Sequence, residues 1–224
     1  IIVAGGEHSS AMPEYILKDC PSIDYVIRGE GEFSMLEFSY NLFNGKSVSN
    51  IPGISFIDRE NKFVDNGLSK RIENIDKLPR PAWHLLKPEN YFNEDFSIGL
   101  MGGSRNMPIL GTRGCPFQCT FCSSPTMWTT RYVMRDPEEI VDEIEWLMKE
   151  YKANNFEFFD LTAIIKKSWI LKFCNTIKKR KLNNLTWQLP VGTRTESLDE
   201  EVLKAIYDTG CYFVCYAPES GSQK

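Results

Sequence analysis

Cys115, Cys119 and Cys122 are spaced C-x-x-x-C-x-x-C, which gathers three soft sulfur ligands on one short stretch of chain. Three thiolates at this spacing can wrap a four-iron, four-sulfur cubane, whose irons take sulfur ligands. Four cysteines would saturate such a cluster; three leave one iron open to a small molecule. A loop without regular structure suits that task, since the backbone must curl until three sulfurs point inward. Gly111 and Gly114 meet that need, and nearby amides could hydrogen-bond to the sulfurs. The same residues are compatible with zinc if a fourth ligand arrives through space from Cys174, Cys211 or Cys215, because structural zinc takes four N or S ligands. Chance, or a redox pair with a bystander, is a third reading. His8 and His84 are the only histidines, so a histidine-rich metal site is excluded.

The elements that must position these residues are βα units. Ile109–Thr112 reads as a strand leading into the cysteine loop. Asp136-Pro137-Glu138-Glu139 opens a helix with a capping residue, Pro at the first position and Glu three after the cap. Ile140, Ile144, Leu147 and Tyr151 then recur at helical spacing. Phe156–Phe159, Leu185–Leu189 and Tyr212–Tyr216 are the next strands. Between them Ser168 is expected to cap a helix burying Ile170, Phe173, Cys174 and Ile177, and Ser197-Leu198-Asp199-Glu200 reads as a second capping box. Upstream, Ile1–Ala4 and Tyr25–Ile27 read as strands, with helices over Met12–Lys18 and Phe33–Phe43, the latter ending at Asn44-Gly45. Ile54–Ile57 and Lys62–Val64 read as a hairpin, and Pro79, Pro81 and Pro88 are expected to break any regular element after it.

The chain has 224 residues, 42% hydrophobic and 25% charged, an ordinary core-forming composition. A net charge of −4 gives no electrostatic reason to expect nucleic-acid binding. Residues 1–100 carry 10 basic and 15 acidic side chains against 16 and 15 in 101–224, which hints at two units meeting near residue 100. No apolar run approaches the roughly 20 residues needed to span a bilayer. Seven cysteines, three of them bunched, do not form a secreted disulfide framework, so reducing, cytoplasmic surroundings are expected. The start, Ile1–Gly6, is a buried-strand pattern running into a glycine turn and not a signal peptide, so further sequence is expected upstream.

The segment Gly111-Thr112-Arg113-Gly114-Cys115-Pro116-Phe117-Gln118-Cys119-Thr120-Phe121-Cys122 resembles the cluster loop of the radical S-adenosylmethionine superfamily, including the aromatic before the last cysteine. The resemblance implies that Cys115, Cys119 and Cys122 bind a 4Fe-4S cluster and that the methionine end of S-adenosylmethionine chelates its open iron. An electron from the cluster would then cleave the sulfonium to methionine and a 5′-deoxyadenosyl radical. It further implies that Phe121 packs near the adenine, that Asp160 lies near the cofactor amine, and that Arg194 partners its carboxylate. Glu219 and Ser220 would lie near its ribose. Phe159-Asp160-Leu161-Thr162 departs from the paired acids common in the family.

Gly5 and Gly6 follow a strand at a point where a backbone can pass close to a ligand with no Cβ in the way, and the Gly29–Glu32 turn, with Gly29 and Glu30, occupies the equivalent place one strand later. This pattern is similar to the last βαβα portion of a cobalamin-binding domain, which implies cobalamin contacts at those four residues. The D-x-H-x-x-G cobalt-ligand signature of that domain is absent and is expected upstream of Ile1; His8 reads as a loop histidine.

The expected architecture is therefore α/β: the C-terminal part of a doubly wound cobalamin-binding domain over 1–45, a connector with a small hairpin over 46–100, and the first four βα units of a radical S-adenosylmethionine partial, TIM-like barrel over 101–224. Tyr216-Ala217-Pro218-Glu219-Ser220-Gly221-Ser222 is most similar to the branch containing the anaerobic magnesium-protoporphyrin monomethyl ester cyclase. The expected cofactors are a 4Fe-4S cluster, S-adenosylmethionine and cobalamin. The expected partners are a small-molecule substrate and a reductant such as flavodoxin or ferredoxin. The expected chemistry is methyl transfer or oxidative cyclisation, with the barrel left incomplete over this stretch. A radical enzyme without cobalamin and a non-catalytic zinc module remain as alternatives.

Overall fold

The computed structural model of the protein describes residues 1–92, 94, 105–218 and 220–222. The chain divides into two compact units, residues 1–73 with 116–130, and residues 74–115 with 131–224.

In the first unit, β1 (Val3–Ala4) leads through α1 (Glu7–Ala11) and α2 (Pro13–Asp19) to β2 (Tyr25–Ile27), followed by α3 (Gly31–Phe43). Strands β1 and β2 are parallel, Val3 opposite Tyr25. Pro13 opens α2, where its missing N–H is no loss. The end of α3 is as expected: Gly45 adopts φ 65°, and Lys46 N–H reaches back to Asn41 O at 2.8 Å. The expected hairpin is present as β3 (Ile54–Ile57) and β4 (Phe63–Asp65). It does not stand alone, because β3 pairs antiparallel with β2 and gives the sheet the order β1-β2-β3-β4. Burying Ile54 against Ile27, Phe38 and Ile51 is the physical reason: a two-stranded hairpin is marginal until its apolar face is covered.

The second unit begins with a 3-10 turn (Ile75–Lys77) and then forms two short helices, α4 (Trp83–Leu86) and α5 (Glu89–Phe92), where the prolines are expected to allow none. Pro81 and Pro88 precede these helices and do not interrupt them, a position proline tolerates. Strand β5 (Asn106–Ile109) starts three residues earlier than expected and includes Pro108. The strand lies at the end of its sheet, where a residue without an N–H is accommodated. Thr112–Arg113 is a separate short strand, β6, and the chain then passes through 116–130, which packs with the first unit and holds α6 (Ser124–Trp128).

On its return the chain forms β7 (Val133–Met134), antiparallel to β6, then α7 (Pro137–Tyr151), β8 (Asn155–Phe158), α8 (Lys167–Lys179), β9 (Thr186–Thr193), α9 (Glu200–Tyr207) and β10 (Cys211–Tyr216). Strands β5, β8, β9 and β10 are all parallel, and their order across the sheet is their order along the chain. That consecutive order is the arrangement of a βα barrel. Asp136 caps α7 through Glu138 N–H at 2.8 Å. Asp199 caps α9 through Val202 N–H at 3.0 Å, and Ser197, expected as the cap, sits in a 3-10 turn and donates to Ile165 O at 3.1 Å. Ser168 does not cap α8, which begins at Lys167. The core of this unit holds Ile140, Ile144 and Leu147 of α7 and an aromatic cluster of Phe158, Phe173 and Trp187, whose rings meet edge to face at 5.3–5.5 Å. No helix among the described residues is long and apolar enough to cross a membrane.

Candidate functional site

The cysteine loop springs from the carboxyl end of β5, and its root is held by hydrogen bonds at Leu110 and Gly111. Gly111 N–H donates to Asp160 Oδ2 at 3.1 Å. Gly111 O accepts from Arg135 N–H at 2.9 Å, and the Arg135 guanidinium donates to Leu110 O at 3.0 Å. Arg135 is itself fixed by buried Glu143 at 2.6 Å and by Asp76 at 3.4 Å. Trp169, whose indole N–H donates to Arg135 O at 2.7 Å, closes the root on the other side. Glycine suits the close packing there, because a Cβ on residue 111 would lie 3.0 Å from Trp169 Cη2 and 3.1 Å from Phe158 Cε1 and would press both rings back.

Asp160 is 1% exposed, and burial lifts its pKa to about 6 against the pull of the Thr112 hydroxyl, the Gly111 and Thr112 amides and the Arg135 charge. Its second oxygen, Oδ1, is buried with no hydrogen-bond partner among the described residues. Beside it, Tyr132 donates from its hydroxyl to Thr162 O at 3.2 Å and Ala163 O at 3.1 Å. Burial, and secondarily the Asp160 and Cys115 charges, push the Tyr132 pKa well above the usual phenol range.

Cys115 is half-buried and follows Gly114, whose φ of 84° turns the chain into the loop. Cys119 is half-buried and Cys122 exposed; a tight turn joins them, with Cys122 N–H donating to Cys119 O at 3.0 Å. Ser124 N–H points at Cys122 Sγ at 3.4 Å, the kind of amide contact that stabilises a ligating thiolate. Phe121 is 68% exposed. All three thiols are free of disulfides, although no group of three or more His, Cys, Asp or Glu side chains is gathered closely enough to hold a metal ion among the described residues. Three free thiols close together in sequence are the soft donor chemistry that an iron–sulfur cluster takes. Of the three candidate fourth ligands for zinc, Cys174 and Cys211 lie in the core, with burial pushing their thiols up to about 11 and about 12, which leaves the half-buried Cys215.

The remaining expected contacts are dispersed over the later strand ends. Arg194 directly follows β9 and pairs with Glu196 at 2.8 Å. Ser220 is exposed, its hydroxyl accepting from Ser222 N–H at 3.0 Å; Glu219 lies outside the described residues.

In the first unit, Gly6 and Gly29 adopt φ of 95° and 79°, which a side chain would strain. With Gly5 and Gly31 they line a cavity of about 340 Å³ at the carboxyl ends of β1 and β2. Glu30 joins this turn through its backbone only, because its carboxylate is buried against Arg71 at 3.2 Å and accepts Ile72 N–H. Arg71 and Trp128 here, like Arg135 at the root of the cysteine loop, carry scaffolding and were not singled out in the sequence. No local pattern marks them, since most of their partners lie tens of residues away.

Residues 109–224 match the family model described as Radical SAM superfamily. The chain is 32% identical over 224 residues to an uncharacterized methyltransferase of Pyrococcus horikoshii, covering all of this chain and 46% of the relative. It is 31% identical over 226 residues to the anaerobic magnesium-protoporphyrin IX monomethyl ester cyclase of Rubrivivax gelatinosus, covering all of this chain and 39% of the cyclase. Its fold is similar to the cobalamin-dependent S-adenosylmethionine radical enzyme OxsB with aqua-cobalamin and S-adenosylmethionine bound. That match has a TM-score of 0.77 and 19% identity, over 99% of this chain and 31% of OxsB. The chain thus spans less than half the length of the curated relatives it matches.

Proposed function

The chain belongs to the radical S-adenosylmethionine superfamily, and from that premise we propose that it is the central part of a cobalamin-dependent radical enzyme acting on a small molecule. The observation that carries this reading is the set of three free thiols, Cys115, Cys119 and Cys122, on the loop that leaves the first of four consecutive parallel strands. When bound, the cluster with S-adenosylmethionine and cobalamin supplies reductive sulfonium cleavage and a carrier for methyl transfer or for substrate oxidation and cyclisation.

The chain's own residues bind and orient. Cys115, Cys119 and Cys122 hold the cluster, and Ser124 N–H supports the Cys122 sulfur. Asp160, Arg135 and Trp169 fix the loop root from below. Phe121 offers an exposed aromatic face to the adenine, and Arg194 a guanidinium to the cofactor carboxylate once it exchanges its surface partner Glu196. Ser220 and Glu219 serve the ribose. Gly5, Gly6 and Gly29 let the backbone approach the corrinoid, and Glu30 holds its turn through Arg71. An external reductant of the flavodoxin or ferredoxin type delivers the electron.

Anaerobic reconstitution of the full-length protein with iron and sulfide tests the proposal. The expected result is a reducible cubane EPR signal that changes on adding S-adenosylmethionine, with corrinoid retained on gel filtration. Stoichiometric zinc without that signal would overturn the radical reading; a cluster without corrinoid would overturn only the cobalamin part.

A further inference from the structure

The indole of Trp128 touches the surroundings of both glycine turns of the first unit, although it lies six residues after Cys122 on the cysteine segment. Its Nε1–H donates to Glu7 Oε1 at 3.2 Å. Glu7 is the first residue of α1 and directly follows Gly6, the left-handed glycine of the first turn. The Trp128 ring also lies 5.1 Å from the Arg71 guanidinium. Arg71 in turn pairs with Glu30, the residue after Gly29 in the second turn. The Arg71 side chain is 13% exposed and that of Glu30 is 1% exposed, so the cation sits desolvated between a carboxylate and an indole face, the setting in which such contacts are strong. Helix α6, which carries Trp128, is joined to Cys122 and Cys119 by the Ser124 and Cys122 amide contacts.

We propose that Trp128 is a positioning residue that ties the segment bearing Cys119 and Cys122 to both glycine turns. An occupant of the cavity between those turns thereby acts on two of the three cluster ligands through one indole ring. This rests on the reading of the thiols as cluster ligands and of the cavity as a corrinoid site.

The test uses the full-length protein in two forms. In the metal-free form, alkylation rates at each cysteine are followed by mass spectrometry. Trp128→Ala is expected to raise the rates at Cys119 and Cys122 several-fold and to leave Cys20, which is exposed elsewhere in the same unit, at its parent rate. Glu7→Ala is expected to act in the same direction, with little further effect once Trp128 is gone. Trp128→Phe keeps the ring over Arg71, loses the bond to Glu7, and is expected to fall between. Hydroxocobalamin, as the probe ligand, is expected to slow alkylation in the parent and not in Trp128→Ala. In the reconstituted form, Trp128→Ala and Glu7→Ala are expected to shift the cluster midpoint potential and EPR line shape. Parent-like rates and potential in both variants would overturn the proposal. Should no cluster form even in the parent, the cysteine reading fails while the alkylation rates still decide the role of Trp128.

Discussion

Asp160 and Gly111 are 49 residues apart in sequence, yet the Asp160 carboxylate takes the Gly111 N–H at 3.1 Å in a site only 1% exposed to solvent. The end of the second barrel strand therefore sets the point from which the cysteine loop leaves the first. Removing that acceptor strands a buried amide, which costs about 1–3 kcal/mol. Asp160→Ala is accordingly expected to unfold at lower denaturant and to retain less iron after reconstitution. Asp160→Asn keeps a carbonyl for Gly111 and is expected to retain iron at the parent level. Were Asp160 instead to act only by touching the cofactor amine, both variants would keep the cluster and lose only the EPR response to S-adenosylmethionine.

The same carboxylate imposes a pH dependence of unusual sign. Burial raises its pKa from 3.8 to about 6, so the folded chain keeps a proton that the unfolded chain has already lost. Stability from this group is thus present below about pH 4 and is lost as pH rises through about 6, by roughly 3 kcal/mol at 1.36 kcal/mol per unit. Asp65, Asp136, Asp199 and Asp208 have depressed pKa values and act in the opposite direction. The measurable quantity is therefore the difference between Asp160→Asn and parent. The variant is expected to gain on the parent in denaturant midpoint as pH is raised from about 4 to about 7. A constant gap across that range would exclude a raised Asp160 pKa.

Much of this arrangement was legible before the structure, and the exceptions share a cause. The cysteine loop was readable because its chemistry lies in residues close together in sequence. The helices over 137–151 and 200–207 are readable because apolar periodicity coincides with a polar capping stretch, Asp136 for the first and Ser197–Glu200 for the second. Strand β5 was placed three residues late because periodicity favours Ile109-Leu110, whereas pairing of Asn106–Ile109 with Asn155–Phe158 decides the matter. Ser168 and Ser197 carry the right side chains for caps, but the packing of their helices starts elsewhere. Arg71, Trp128 and Arg135 were invisible for the same reason: each acts through partners that only the tertiary fold supplies.

Gly111 is expected to accept a side chain only at a cost. A methyl group there would sit 3.0 Å from Trp169 and 3.1 Å from Phe158, so both rings of this packed core must shift to admit it. Gly111→Ala is expected to cost about 1–3 kcal/mol by overpacking and to raise the rate of cluster loss to a chelator. Gly221, which has open space around its Cβ position and no left-handed backbone, serves as the control for substitution at a glycine.

Each of Cys115→Ser, Cys119→Ser and Cys122→Ser is expected to reduce bound iron from about four per chain to near zero, because serine is too hard a ligand to hold a cubane iron well. Cys215→Ser, at a half-buried thiol on β10, is expected to leave iron unchanged. Loss of metal on changing Cys215 as well would point to a four-ligand site instead.

The core reaches the site through Phe173. This ring is fully buried, meets Phe158 and Trp187 edge to face at 5.5 and 5.3 Å, and stacks on Trp169 at 6.4 Å with a 9° interplanar angle. Trp169 is the residue that closes over Gly111 and holds Arg135 O. Phe173→Ala is expected to cost about 3–5 kcal/mol from the cavity alone. It also frees Trp169 to move into that cavity, so cluster retention should fall in the folded protein as well. Phe173→Leu fills most of the volume and is expected to cost less, about 1–2 kcal/mol. Ile206→Ala, at a buried aliphatic position on α9, is expected to lower stability by about 2–5 kcal/mol without opening space beside Trp169. Iron retention measured well below each variant's melting temperature separates the two effects: it should drop for Phe173→Ala and hold for Ile206→Ala. Equal retention in both would mean that the aromatic stack stabilises the unit without positioning the loop.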